Sequence, residues 1–190
     1  QRLNAEDACE PSESRETRMY ECLVDGEISD RISAADRGLQ YGDGVFETIA
    51  VIGGQPRFWQ AHMDRLGAGC QRLGLPLTPQ EILLRELKTV SAGQSRCIVK
   101  VIISRGSSER GYSPAGLVQG NRVVSAHPWP QDESDPGVFG VRARVCDLRL
   151  GIQPVLAGIK HLNCLELVMA RAEWEDPLIH EGILLDREDH

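Results

Sequence analysis

Apolar and polar positions alternate from Tyr20 to Val24, and Asp25-Gly26 follows, a pair that favours a tight reversal. The stretch Val45–Ile52 is rich in β-branched residues and ends at Gly53-Gly54, predicting a strand that turns back toward Arg57-Phe58. The period then changes. Trp59, Met63, Leu66, Cys70 and Leu73 recur at steps of three and four, which predicts an amphipathic helix closed by Gly74. Thr78-Pro79-Gln80-Glu81 predicts a second helix, with Thr78 as cap, Glu81 completing a capping box, and Ile82, Leu83, Leu87 and Val90 as the apolar face. Cys97–Ser104 is almost continuously apolar, as expected of a strand buried on both faces.

A glycine- and serine-bearing loop, Arg105 to Gly111, separates that strand from another over Arg122–Ala126. The proline- and acid-rich stretch after His127 reads as a linker, residues 128–136, between a lobe over 19–127 and a second over 137–190. In the second lobe Val141, Ala143 and Val145 alternate with Arg142 and Arg144, predicting a half-buried strand. Leu162, Leu165, Met169 and Ala172 predict a helix, and Ile183–Leu185 a buried strand. Residues 1–18 read as a disordered leader, and Met19 as a natural start. The pattern is α+β, without the strand–helix alternation of a doubly wound fold. No GxGxxG follows a strand and no Walker loop is present.

With 190 residues, 41% of them hydrophobic, the chain can bury a sizeable core. Its net charge of −7 argues against general binding to nucleic acid or to an anionic membrane. No apolar run approaches the roughly 20 residues that span a bilayer. The six cysteines are scattered, without metal-ligand spacing, and fit reduced thiols in the cytosol better than a disulfide framework.

Three places could carry chemistry. Lys160 has Ile159 and Leu162 as neighbours; an apolar setting favours the neutral amine, the form that attacks a carbonyl cofactor, whereas a lysine at a helix start is more often solvated. Arg65, inside the first long helix, is either a surface arginine or a fork gripping a phosphate. Arg105, Arg110 and Tyr112 share one loop after a strand, where they either hold a dicarboxylate substrate or are simply solvated. His62 and His161 lack partners at a useful spacing and read as structural.

Four segments, DRGLQYGDGVFETI (Asp36–Ile49), HMDRL (His62–Leu66), KVIISRGSSERGYS (Lys100–Ser113) and LAGIKHLNCLE (Leu156–Glu166), resemble in order and spacing the aminodeoxychorismate lyase family. The likeness covers about Met19 to Asp186. The first two segments are shared with all fold-type IV pyridoxal-phosphate enzymes, including branched-chain and D-amino-acid aminotransferases; the other two point to the lyase. The resemblance implies a two-lobed fold-type IV architecture with its C-terminal lobe truncated, pyridoxal 5'-phosphate as cofactor and a homodimer. It implies cleavage of 4-amino-4-deoxychorismate to 4-aminobenzoate and pyruvate in folate synthesis. Lys160 matches the catalytic, cofactor-bonding lysine, and Arg65 the cofactor-phosphate arginine. Arg105, Arg110 and Tyr112 lie on the substrate-facing loop. Leu165 stands where the aminotransferases carry a tyrosine, which leaves an aminotransferase as the second reading. The glutamate that pairs with the pyridine nitrogen would fall beyond His190, so a third reading is an inactive fragment.

Overall fold

The computed structural model describes residues 21–114, 116, 119–130 and 136–190. The leader over 1–18 and the start at Met19 lie outside them, as does most of the expected linker. Three short elements come first: β1 (Cys22–Val24), β2 (Glu27–Ile28) and α1 (Arg37–Tyr41). The strand β3 (Gly44–Ile52) and the short β4 (Gln55–Pro56) form the hairpin expected at Gly53-Gly54. Two helices follow, α2 (Trp59–Leu73) and α3 (Gln80–Val90), then β5 (Arg96–Ser104) and β6 (Arg122–Pro128). Beyond residue 135 come α4 (Pro136–Phe139), β7 (Ala143–Leu150), α5 (Leu165–Arg171) and β8 (Glu181–Asp186).

Six strands make one antiparallel sheet in the order β2-β1-β6-β5-β3-β4. Its core face carries Val45, Ile49 and Val51 of β3, Val99, Val101 and Ile103 of β5, and Val124 and Ala126 of β6. The apolar stripes of α2 (Met63, Leu66, Cys70) and α3 (Leu83, Leu87, Val90) close over it. Burying these side chains contributes roughly 1.5–3 kcal/mol for each large aliphatic one. In β5 burial alternates rather than running unbroken: Ile98, Lys100 and Ile102 are only half-buried. The expectation of burial on both faces therefore fails, because helices cover one face of the sheet and leave the other open.

Four local expectations are also corrected. The capping box is absent: α3 starts one residue late, with Pro79 in extended backbone as its cap and no side-chain capping bond. The carbonyl of Pro79 accepts from Ile82 and Leu83, which places Thr78 one residue too early to reach the first free amides. In β7 the faces are reversed. Val145 is half exposed, whereas Cys146 is buried with Ala170 and Trp174. Arg144 lies on the same side as Cys146; it pairs with Glu173 and reaches over the Trp174 ring. The helix α5 begins at Leu165 and buries Ala170, not the expected stripe, so Leu165 and Met169 face outward. The strand β8 is likewise half exposed at Ile183. It runs parallel to β7, with α5 as the crossover between them.

Candidate active site

The segment carrying Lys160 is tied to the first sheet. The amide of Phe46 donates to the carbonyl of Lys160 (3.0 Å), and the amide of Leu162 donates to the carbonyl of Gly44 (3.0 Å). His161 thereby bridges Val45 in antiparallel register, like a short extra strand on the edge of β3. Alternation does the rest. Val45 and Ile159 enter the core, while Phe46 and Lys160 stand on the open face of the sheet. The Lys160 ammonium sits 4.8 Å from the Phe46 ring centroid, and that of Lys100 sits 4.9 Å from the same centroid. Lys100 pairs directly with Thr48 and Ser125 on its neighbouring strands. The open face thus presents two cations around one aromatic ring, a favourable arrangement for each cation against the ring face. Nothing in the periodicity singles out Lys100 or Phe46; the register of β3 with β5 brings them to Lys160.

Arg72, near the end of α2, fixes the approach to Lys160 by donating to the carbonyls of Ala157 and Val155, both at 2.7 Å. Gly44 makes the docking possible. A Cβ there would come within 2.5 Å of the Ile103 carbonyl oxygen and 2.6 Å of the Leu162 side chain.

Arg65 lies on the other side of β3. Its Nε and Nη2 donate to the two oxygens of Glu47, both at 2.6 Å. Glu47 is fully buried, while the Arg65 side chain is 48% exposed. His62 Nδ1 is 2.8 Å from the same carboxylate. Burial alone would push the Glu47 carboxyl up, but hydrogen bonds from Arg65 and His62 outweigh it and hold it below its ordinary value. Glu47 therefore acts as a buried anionic brace that sets the guanidinium plane. Among the described residues no hydrogen bond engages Nη1, so that edge is free for a ligand. Phe46 and Glu47 are adjacent, so Lys160 and Arg65 are anchored to consecutive residues on opposite faces of one strand. Neither Glu47 nor its brace was legible from spacing. A glutamate inside a β-branched run is the one clue that a buried carboxylate needs a cation there.

The loop after β5 divides its residues. Arg105 is buried: its Nε donates to Asp43 (2.7 Å), and Nη1 and Nη2 donate to the carbonyls of Gly74 and Leu73. It does not offer the free guanidinium expected of a substrate ligand. Arg110 is exposed, and Tyr112 is 85% exposed with its ring tilted against that of Tyr41, the centroids 5.4 Å apart.

The fold and this arrangement define a class. The family model for amino-transferase class IV matches residues 44–190, and the chain belongs to that family. Among its relatives, an aminodeoxychorismate lyase of Vibrio harveyi is 35% identical over 167 residues, covering 88% of this chain and 62% of that protein. The crystal structure of 4-amino-4-deoxychorismate lyase from Pseudomonas aeruginosa matches with a TM-score of 0.81 at 44% identity, covering 88% of this chain and 62% of that one. The branched-chain amino acid aminotransferase of Escherichia coli matches with a TM-score of 0.71 at 21% identity, covering 90% and 61%, a likeness of fold alone. The fold-type IV architecture expected from the motifs is thus the observed one. The chain spans about three fifths of the length of these relatives.

Proposed function

We propose that this chain carries the lysine-bearing part of a pyridoxal-phosphate-dependent lyase that converts 4-amino-4-deoxychorismate to 4-aminobenzoate and pyruvate in folate synthesis. The observation that carries the reading is the docking of LAGIKHLN on β3, which sets the Lys160 amine on the open face beside Phe46 and Lys100. The chemistry of the residues suits the cofactor: an amine that would bond its carbonyl carbon and, anchored at the next residue of β3, a braced and half-exposed guanidinium that would hold its phosphate. When bound, the cofactor supplies a ring that delocalises charge from the substrate carbon bearing nitrogen.

In this reading Lys160 Nζ would hold the cofactor through its carbonyl carbon and, once freed, would take the proton from the substrate carbon that bears the amine. The electron pair left behind expels the enolpyruvyl ether oxygen, and the substrate ring becomes aromatic. Protonation of the departing enolpyruvate gives pyruvate. Arg65 keeps the cofactor in register through its phosphate, with Glu47 fixing the fork. Arg110 and Tyr112, on the exposed part of the loop, meet the substrate's carboxylates, and Arg105 shapes the loop from beneath. The five described cysteines are free thiols, which supports a cytosolic setting; a homodimer is implied by the family. Among the described residues no helix is long and apolar enough to cross a membrane.

The test is product formation. The complete gene product, given aminodeoxychorismate, should release 4-aminobenzoate and pyruvate in equal amounts. A burst of keto acid from a D- or branched-chain amino acid, without 4-aminobenzoate, would instead identify an aminotransferase.

A further inference from the structure

Arg37 is 3% exposed, yet it belongs to a polar helix start and has no place in the mechanism above. Three of the four hydrogen bonds its guanidinium donates go into the loop after β5. Nε donates to Asp43 at 2.9 Å, Nη1 to Ser108 Oγ at 3.2 Å and to the Gly111 carbonyl at 2.8 Å, and Nη2 to the Tyr112 carbonyl at 2.9 Å. Its guanidinium also lies 4.8 Å from the centroid of the Tyr41 ring, against which the Tyr112 ring is tilted. The backbone adds to this, since the Arg37 amide donates to the Gly106 carbonyl and the Ser108 amide to that of Ala35.

Asp43 joins this arginine to the second buried one. A single oxygen, Oδ2, accepts from both Arg37 and Arg105. Burial pushes the Asp43 carboxyl up, but the two guanidinium groups outweigh it and hold it below its ordinary value. An Asp43 anion shared by two arginines therefore grips both ends of the loop: Arg105 at its root and, through Arg37, the Gly111 and Tyr112 carbonyls at its far side. In a part-buried cluster of this kind an unsatisfied member is costly, so these bonds hold the loop's backbone in place.

We propose that Arg37 is the positioning residue of the substrate loop, setting the backbone that displays Arg110 and Tyr112. The inference rests on the reading that this loop meets the substrate. In that role Arg37 acts through the Gly111 and Tyr112 carbonyls and not on the substrate itself. Planar, five-donor geometry is required, because an ammonium cannot span Asp43, Ser108 and two carbonyls at once.

The experiment uses Arg37→Lys in the complete gene product. The KM for aminodeoxychorismate should rise about tenfold while kcat and the absorbance of the bound cofactor stay nearly unchanged, the pattern of lost substrate binding. Trypsin cleavage after Arg110 should accelerate about tenfold while cleavage after Lys88 does not change, as expected for local loosening of one loop. Unchanged KM and unchanged cleavage after Arg110 would overturn the inference. If cleavage after Lys88 also accelerates, Ser108→Ala replaces the variant, since it removes one acceptor of Arg37 and no buried charge; unchanged KM and cleavage there would overturn it equally. Arg110→Ala separates the two levels. If Arg110→Ala and Arg37→Lys both leave kcat/KM unchanged although cleavage accelerates, the loop does not meet substrate, and the proposal falls with that reading.

Discussion

Glu47 shows how one buried side chain sets the chemistry of another. An isolated carboxylate on the core face of a sheet would cost several kcal/mol, and it persists because Arg65 and His62 satisfy it. The Glu47 carboxyl is held below its ordinary value of 4.5, so its contribution to stability is fully present above that pH and is lost as the pH falls through the lower, folded value. Glu47→Gln should lower stability near neutrality by about 1–3 kcal/mol, the cost of a polar group left poorly satisfied. In denaturant melts the difference from the parent should shrink as the pH falls below about 4; a difference that stays constant with pH would mean that the Glu47 charge is not what is lost. Arg65→Ala should weaken pyridoxal-phosphate binding by about 2–5 kcal/mol, the range for truncating one member of a buried charged pair, with a much smaller effect on unphosphorylated pyridoxal. Equal losses for the two ligands in a binding titration would make Arg65 a purely structural partner of Glu47.

The decisive element is β3, because everything proposed for the site hangs from it. Its core face fixes α2, its open face carries Phe46, and its free edge receives the Lys160 segment. Gly44→Ala should break that last contact, since the added methyl meets backbone and the Leu162 side chain at once. The expected outcome is a loss of about 1–3 kcal/mol, typical of overpacking, together with loss of cofactor binding seen by absorbance. Stability lost with binding intact would show that the docking is not needed for the site. In the sequence the long strongly periodic elements were legible: α2, β3 and the hairpin after it follow from spacing and glycine placement. The C-terminal faces were not. The pattern points Val145 of β7 and Leu165 and Met169 of α5 inward, whereas the single covering layer lies on the side of Arg144, Cys146 and Ala170. Periodicity tells which residues share a face and says nothing about which face is covered. Motifs pointed to Lys160 and Arg65 as candidates, but the neighbours Glu47, Lys100 and Arg37 come from strand register and loop closure, which no local spacing records.

At the scale of the whole molecule, the sheet and its two helices form a well-packed unit, and the β7–α5–β8 unit buries much less. Leu165, Leu167, Val168 and Met169 are all more than half exposed on α5. An apolar patch of this kind promotes association. Val168→Glu should therefore raise the solubility of the 190-residue chain while changing its stability by no more than about 0.5 kcal/mol, the usual range for a surface substitution; a large loss in a denaturant melt would show that this face is covered. Cofactor attachment depends on one lysine. Borohydride reduction of the complete gene product loaded with pyridoxal phosphate should fix the cofactor to Lys160, identified by peptide mapping. Lys100 is the strict control, because its ammonium lies as near the Phe46 ring as that of Lys160. A label on the Lys160 peptide is the expected result; a label on the Lys100 peptide, or none on either, would contradict it.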